Sequence, residues 1–236
     1  IKPGIHLAHV VLTPNSKYAY VTAQVEGVIY KINALNYEII KSIDTGNNSE
    51  PHGLRISPNG ANAYVAMLGN KSLGIVNLEN DTFSEISLGG AAVQTGVTPN
   101  NKYAVASLYD TKQLAMYRIS DGLLSYINLP ENAKGPIQMY PTPDSRFIYL
   151  ADQGYYFGEP LGEWVYKIDL ESKKIVKEIK AGKAPHGVVV SGDGEFVYVT
   201  NLLSSDVSVI DTAKDEESGR IKVGKEPNGI SIWHKN

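Results

Sequence analysis

The amino-acid sequence predicts an all-β fold built from repeated four-stranded units, and three observations support this. Similar segments recur along the chain, such as PHGLRISPNGANAYVA from Pro51 and PHGVVVSGDGEFVYVTN from Pro185. The residue that opens the tight turn of each copy returns at intervals of 44, 41, 44, 49 and 43 residues, at Thr13, Ser57, Thr98, Thr142, Ser191 and His234. Apolar and polar residues alternate along β-branched stretches, without a sustained helical period. A repeat of this length is typical of the blades of a β-propeller.

Each repeat consists of four predicted strands in a constant order. A short apolar strand A meets a turn of Ser or Thr, usually Pro, and then Asn, Asp or Gly, in which Pro presets φ and the next residue tolerates the bend. Strand B follows as YAYVT, NAYVA, YAVAS, FIYLA and FVYVT, and strand C as GVIYKI, LGIVNL, LAMYRI, WVYKIDL and VSVIDT. Strand D, for example IVKEIKAG, closes the unit.

Tyrosine is unusually frequent, with 15 residues against 4 Phe and 2 Trp. Several of these tyrosines occupy strand B and strand C positions, among them Tyr20, Tyr64, Tyr149 and Tyr166. At such positions we expect the aromatic ring to pack between neighbouring blades while the hydroxyl reaches an edge of the sheet.

Composition excludes several classes of protein. The 236 residues are 42% hydrophobic and 20% charged, which is the composition of a folded chain and not of a disordered one. The net charge of -3 provides no basic excess to neutralise a phosphate backbone, so we expect no nucleic-acid partner. No apolar run approaches the length of a membrane span. The absence of cysteine excludes disulfides and cysteine-ligated metal centres.

The phase of the repeat predicts where the blades lie within a single domain of residues 1–236. The expected blades are 5–48, 49–90, 91–133, 134–182 and 183–224. Ile1-Lys2-Pro3-Gly4 aligns with Ile221-Lys222-Val223-Gly224, so residues 1–4 are expected to end a preceding blade, and residues 225–236 to form the inner strand of the closing blade. On a period of roughly 43 residues, about 30 more would complete six blades and about 75 would complete seven. A five-bladed ring with frayed ends is the alternative.

The repeat resembles the YVTN family of β-propellers. The tetrapeptide that names this family is intact at Tyr198-Val199-Thr200-Asn201, and weaker copies are YVTA at Tyr20, YVAM at Tyr64 and YLAD at Tyr149. The resemblance covers nearly the whole chain. It implies four-stranded blades arranged radially around a central channel, with seven blades closer to the family norm than six. It also implies an exported protein, and it implies little about chemistry because one fold carries many functions.

Four of the five histidines map to one face of the predicted propeller, near the channel mouth. They are His6, His9, His52 and His186, whereas His234 maps to the opposite end. Together with Gln94 and Gln138 they would form a partial ring of imidazoles and amides. Imidazole is a common ligand of transition metals and haem, so we predict a metal or haem site in the channel. The alternative is that the Pro-His-Gly segments are structural, with each His bonded to a neighbouring loop.

The better predicted ligand pair is His9 with His52, because their blades are adjacent. His52 and His186 are three blades apart and would face each other across the channel. Their separation is expected to be too long for direct coordination of one metal, which requires ligand distances of about 2 Å.

A long loop between strands B and C of the fourth repeat is the second candidate site. The segment 153–164, QGYYFGEPLGEW, contains Tyr155, Tyr156, Phe157 and Trp164. Exposed aromatic loops commonly recognise a ligand or a partner protein, so these four side chains, with Gln94 and Gln138, are the predicted ligand-binding residues. The alternative is that the loop folds back as a lid or packs against a sheet edge.

The sequence contains no GxSxG, HExxH or P-loop motif. We therefore predict a non-enzymatic binding or scaffold protein, located in the periplasm or at the cell surface. It would recognise a small molecule or a protein through the face that carries the 153–164 loop and the histidines. One alternative is a metal- or haem-binding propeller, similar in fold to dissimilatory nitrite reductase. The other is a lactonase-like hydrolase, since sugar-lactone hydrolases share a similar propeller.

Overall fold

The structure, a computed structural model, describes residues 4–232. Its strands form five four-stranded antiparallel sheets, which confirms the predicted all-β class and its four-stranded units. In each of the five sheets the four strands lie side by side in chain order. Within the described residues the single helical element is a 3₁₀ turn at Tyr155–Phe157. We call the sheets blades 1 to 5.

The first three blades have strands of five or six residues. Blade 1 comprises β1 Leu7–Leu12, β2 Tyr18–Ala23, β3 Val28–Asn33 and β4 Ile39–Asp44. Blade 2 comprises β5 Pro51–Ile56, β6 Asn62–Met67, β7 Ser72–Asn77 and β8 Thr82–Ser87. Blade 3 comprises β9 Ala92–Val97, β10 Tyr103–Leu108, β11 Gln113–Arg118 and β12 Leu124–Asn128.

The last two blades follow the same plan. Blade 4 comprises β13 Pro136–Pro141, β14 Phe147–Asp152, β15 Trp164–Asp169 and β16 Lys174–Lys180, with the 3₁₀ turn between β14 and β15. Blade 5 comprises β17 Pro185–Val190, β18 Phe196–Asn201, β19 Asp206–Asp211 and β20 Glu216–Lys222.

The chain divides into two compact units. Unit 1 consists of residues 1–97, 101–111 and 115–125 and holds blades 1 and 2 with most of blade 3. Unit 2 consists of residues 98–100, 112–114 and 126–236 and holds blades 4 and 5 with the remainder of blade 3.

The Ser or Thr that marks each repeat stabilises the turn between strands A and B. In blade 1 the Thr13 hydroxyl donates to Asn15 Oδ1 at 2.7 Å and accepts the amide of Tyr18 at 3.1 Å. In blade 2 the Ser57 hydroxyl bonds Asn59 and the amide of Asn62 in the same way. The hydroxyl and the amide or carboxylate two residues later therefore satisfy backbone groups that the tight turn leaves unpaired.

The third and fourth positions of the YVTN tetrapeptide have distinct bonding roles. The Thr200 hydroxyl accepts the amide of Gly187 at 2.8 Å and donates to the carbonyl of Asn228 at 3.1 Å, so it links strand A of blade 5 to the segment after that blade. Asn201 accepts the amide of Gly182 at 3.0 Å, and the Asp152 carboxylate at the equivalent position accepts the amides of Lys134 and Gly135. The fourth position therefore holds the loop that leads into strand A.

Buried tyrosines contact the neighbouring blade, as the sequence predicts. The Tyr20 hydroxyl of blade 1 donates to the Asp81 carboxylate of blade 2 at 3.0 Å. Burial, and then this hydrogen bond, raise the pKa of Tyr20 well above its usual range, so the phenol stays protonated. The Lys31 ammonium lies 2.9 Å from the same carboxylate. Blade 4 repeats the arrangement towards blade 5, where Lys167 lies 2.6 Å from Asp215.

The segment after blade 5 has no regular secondary structure over residues 223–232. The expected closing strand over 225–236 stays a prediction, and residues 1–3 and 233–236, including His234, lie outside the described residues. Within residues 4–232 we find no helix with the length and apolar character needed to cross a membrane.

Candidate functional site

The two Pro-His-Gly segments each begin a first strand. His52 is the second residue of β5, and His186 is the second residue of β17. His9 lies within β1, and His6 is exposed just before that strand, with a positive φ of 53°. His9 and His52 belong to unit 1, and His186 belongs to unit 2.

Unit 1 brings the predicted pair His9 and His52 into contact. Their ring centroids are 5.2 Å apart, with the ring planes at 68°. Nδ1 of His52 lies 2.8 Å from the carbonyl oxygen of Val93. Because a carbonyl can only accept, Nδ1 must carry the proton, and the neutral ring then has its lone pair on Nε2. Burial lowers the pKa of His52 from its usual value, and this favours the neutral form at pH 7.

The predicted amide ligands lie inside the fold. Gln94 is fully buried, and its Oε1 accepts the amide of the next residue, Thr95, at 2.9 Å. Its side chain lies against Gly53, where there is no room for a Cβ atom. Gln138 is also buried in β13. Their assignment as ligand-binding groups stays a prediction.

No group of three or more His, Asp or Glu side chains suited to a metal ion is present within residues 4–232. Among the predicted metal ligands, unit 1 brings the pair His9 and His52 into contact. The two rings meet edge to face, and their separation of 5.2 Å is also close to the roughly 5 Å between the centroids of two imidazoles bound tetrahedrally to one metal at about 2.0–2.1 Å. The Val93 carbonyl is the kind of outer partner that orients a ligating histidine.

The aromatic loop of unit 2 is organised by its 3₁₀ turn. Gly154 before the turn and Gly158 after it have φ values of 73° and 77°, a region that glycine enters without strain. The turn presents Tyr155 and Tyr156, which are 45% and 50% exposed, with ring centroids 5.8 Å apart. Two of the four predicted aromatic residues are thus strongly exposed, whereas Phe157 and Trp164 are half-buried.

Tyr156 is attached to the start of blade 5 and to the segment that follows that blade. Its ring meets the His186 ring edge to face, with centroids 5.4 Å apart. Its hydroxyl accepts a hydrogen bond from Asn228 Nδ2 at 3.3 Å. Partial burial, and then the negative charge of Glu226, raise the pKa of Tyr156, so its phenol is neutral at physiological pH. The loop therefore packs back on one side and leaves aromatic surface open on the other.

Two features of this site were not among the predicted site residues. Asn228 occupies the same repeat position as His52 and His186, in a Pro-Asn-Gly segment, and that shared position was its only signal in the sequence. Gln153, at the start of the loop, is fully buried, and neither polar atom of its side chain has a hydrogen-bond partner among the described residues. Such a group is normally satisfied by water or by a ligand.

Part of this chain is similar in sequence to two dehydrogenases. No family model matches the chain. It is 35% identical over 72 residues to the methylamine dehydrogenase heavy chain of Methylophilus methylotrophus, covering 30% of this chain and 17% of that protein. It is 33% identical over 70 residues to dihydro-haem d1 dehydrogenase of Pseudomonas aeruginosa, covering 30% of this chain and 13% of that protein. The matched region is thus a small part of each relative.

Comparison with solved structures settles the fold class. Virginiamycin B lyase of Staphylococcus aureus superposes with a TM-score of 0.82 at 17% identity, covering 98% of this chain and 75% of that one. Hydrazine synthase of Kuenenia stuttgartiensis gives a TM-score of 0.79 at 16% identity, covering 97% and 71%. These proteins are β-propellers, and at such identities the likeness concerns the fold alone. The chain has a β-propeller fold, and its structural neighbours include enzymes.

Proposed function

We propose that this protein binds a ligand or a partner protein through the loop face of unit 2, which consists of the exposed rings of Tyr155 and Tyr156 and is supported by the buried His186 and by Asn228. The observation that carries the proposal is the pair of half-exposed tyrosine rings on a turn anchored by His186 and Asn228. Large aromatic side chains that are held rigidly lose little entropy on binding and contribute strongly to affinity.

The chemistry of the face favours a ligand with a flat apolar surface. Both phenols offer a ring face for stacking and a hydroxyl for hydrogen bonding. The 153–164 segment carries two acidic residues, Glu159 and Glu163, and no basic residue, and Glu163 is paired with Lys180 at 3.4 Å. The buried amide of Gln153 adds a donor and an acceptor at the base of the loop. The resemblance to YVTN propellers supports a binding role outside the cytoplasm.

A binding assay tests this proposal with three probes of aromatic rings. 2-Naphthol binds by ring stacking, cellobiose by packing a sugar face on the ring, and choline by a cation–π contact. We expect at least one of them to change the tryptophan fluorescence, since Trp164 lies at the end of the loop. Replacement of Tyr155 or Tyr156 by Ala should weaken that binding by about tenfold, because such anchors contribute more than about 1 kcal/mol. Tyr156→Phe should retain stacking and lose only the bond from Asn228.

Tyr37→Ala is the matched control, since Tyr37 is a comparably exposed tyrosine of unit 1. Its affinity for the same probe should equal that of the unaltered protein. Equal weakening by Tyr37→Ala, or no binding of any of the three probes at millimolar concentration, would count against the loop face as a binding site.

A second candidate function is the binding of a transition-metal ion by His9 and His52. The specific observation is the 5.2 Å separation of their rings, together with the Val93 carbonyl that places the His52 lone pair on Nε2. An imidazole whose pKa is lowered competes less with protons for the metal, so binding should persist below the usual histidine pKa of about 6.5. One of the same imidazoles would hold the iron of a haem, which would supply redox chemistry there.

Titration with Co²⁺ and Zn²⁺ tests the metal candidate. We expect the visible absorption of a low-symmetry Co²⁺ site, abolished by His9→Ala and by His52→Ala. His6→Ala and His186→Ala should leave it unchanged, because neither residue belongs to the pair. A colourless titration, or equal loss in all four variants, would remove this candidate.

A further inference from the structure

Gln153, which lies between β14 and the 3₁₀ turn of unit 2, has a buried side chain that the fold leaves unpaired. It is 0% exposed, and neither its Oε1 nor its Nε2 has a hydrogen-bond partner among residues 4–232. Its backbone is bonded, because the amide donates to the carbonyl of Gly135 at 2.9 Å and the carbonyl accepts the amide of Gly162 at 2.8 Å. Burying an amide side chain without partners costs free energy, since both polar atoms lose water and gain nothing. The side chain therefore offers a donor and an acceptor to a molecule that is not part of the fold.

The repeat shows that this position does not require an amide side chain. Leu68 of blade 2, Tyr109 of blade 3 and Leu202 of blade 5 occupy the same position, and their backbone amides make the same hydrogen bond, to the residue just before the first strand of the blade. Leu202 is buried without a polar group in its side chain. Gln24 of blade 1 is also a glutamine, but it is partly exposed, so water can satisfy it. A leucine would suit the fold at the position of Gln153, and a polar group buried there against this pattern indicates a function.

The segment 154–161 follows Gln153 and is held by long hydrogen bonds. The backbone hydrogen bonds that close its turn measure 3.2 to 3.3 Å, at or beyond the long end of the usual range. Gly154 and Gly158, at the two ends of the turn, have positive φ and can pivot at little steric cost. We therefore expect this segment to open more easily than the strands, and its opening gives a ligand access to the Gln153 side chain.

A carboxamide pairs best with a partner that presents a donor and an acceptor side by side. The Oε1 of Gln153 can accept a hydrogen bond and its Nε2 can donate one, in the same plane. A lactam or a primary carboxamide presents the complementary N–H and C=O in one plane, so that two parallel hydrogen bonds form at once. A hydroxyl group or a simple ion satisfies only one of the two atoms. The exposed rings of Tyr155 and Tyr156 provide the apolar surface on which the body of such a ligand stacks.

We propose that the ligand of the loop face is a flat molecule with a lactam or carboxamide edge, and that Gln153 binds this edge and sets the specificity of the site. This inference rests on the proposed function, because the rings of Tyr155 and Tyr156 hold the rest of the same ligand. A site that buries a polar group rejects a ligand without the matching edge, because the polar group then stays unpaired.

Two ligands that differ in a single donor test this proposal by calorimetric titration. 2-Quinolinone carries a lactam edge on a flat bicyclic ring, and N-methyl-2-quinolinone has the same ring and carbonyl without the N–H. We expect the unaltered protein to bind 2-quinolinone at least about tenfold more tightly, which is the effect of one buried hydrogen-bond partner. Gln153→Leu should bind the two lactams equally, and it should keep its affinity for the aromatic-ring probe that binds the unaltered protein.

Gln24→Leu is the matched control, since it alters the glutamine at the same repeat position of blade 1 in unit 1, and it should keep the full preference for 2-quinolinone. Equal affinities for the two lactams in the unaltered protein overturn the inference, as a permanently bound water at Gln153 would produce, and this comparison needs no variant to fold. Binding of 2-naphthol, cellobiose or choline would in that case leave the proposed function standing. A preference that survives Gln153→Leu also overturns the inference. Failure of every probe to bind counts against the inference and the proposed function together.

Discussion

Replacement of Gly53 by Ala should lower the free energy of unfolding by about 3 kcal/mol, the cost of forcing a methyl group into a closely packed backbone contact. A Cβ atom at Gly53 would lie 2.5 Å from the Cα of Gln94 and 2.6 Å from the carbonyl oxygen of Val93, and would also overlap Gln94 Oε1. Two of these three atoms belong to the backbone of β9, so a side-chain rotation cannot relieve the overlap. The first strands of blades 2 and 3 would have to separate.

Two other glycines complete a graded series for this experiment. A Cβ at Gly187 would lie 2.8 Å from the carbonyl oxygen of Asn228, a milder overlap, so Gly187→Ala should cost less than Gly53→Ala. Gly219 in β20 has no atom within 4 Å of the added carbon, and Gly219→Ala should leave stability unchanged or raise it by up to about 1 kcal/mol. The measurement is the urea midpoint with its slope. A midpoint for Gly53→Ala equal to that of Gly219→Ala would show that β5 and β9 do not approach as described.

The Pro-His-Gly segment shows what sequence reasoning could and could not provide. Its recurrence at Pro51 and Pro185 marked the start of a strand, because a local pattern repeated along the chain reports local structure. The sequence did not show that glycine is needed at position 53, since the atoms that exclude a side chain there belong to Val93 and Gln94, 40 and 41 residues later. The same holds for His52, whose tautomer depends on the Val93 carbonyl of the next blade.

The candidate site, too, could be predicted only in part from the sequence. Composition alone drew attention to Tyr155 and Tyr156, because aromatic residues are concentrated in one long loop. Whether that loop folds back or stays open depends on contacts with distant residues, here the His186 ring and the Asn228 amide, 72 residues from Tyr156. The sequence left open whether this loop is a packed lid or an exposed recognition loop. Tyr156 has features of both, because it contacts His186 and Asn228 and is still half exposed.

The sequence predicted that tyrosines lie at the blade interfaces, but it did not predict which polar groups they contact there. Tyrosines in strands B and C were expected to pack between blades, and Tyr20 does so. That its hydroxyl would share a carboxylate with Lys31 could not be foreseen, because Asp81 reaches them from a turn 50 residues beyond the lysine. Tyr37 at the equivalent turn position likewise has no distinguishing sequence signal.

Removal of the Asp81 carboxylate should destabilise the protein by about 3 kcal/mol or more, because it leaves the Lys31 ammonium buried without a counter-charge. Both side chains are nearly buried, and the ammonium is bonded to both carboxylate oxygens at 2.9 Å. Asn is the replacement of choice because it tolerates the φ of 57° at this turn and keeps the shape of the side chain. Lys31→Met keeps an unbranched side chain of similar length and removes the ammonium, which also lies 4.7 Å from the centroid of the Tyr18 ring.

The double variant Lys31→Met/Asp81→Asn separates the pair from its surroundings. With both charges gone, the cost of the unpaired ion disappears, so the double variant should be more stable than Asp81→Asn alone, with a coupling energy above about 1.5 kcal/mol. Lys214→Met, at the exposed Lys214–Asp211 pair, is the surface control and should change stability by less than about 0.5 kcal/mol. The matching change Asp215→Asn, at the Lys167–Asp215 pair, provides an independent repeat in unit 2. Strictly additive losses of stability for Lys31→Met and Asp81→Asn would mean that the ion pair does not join blades 1 and 2.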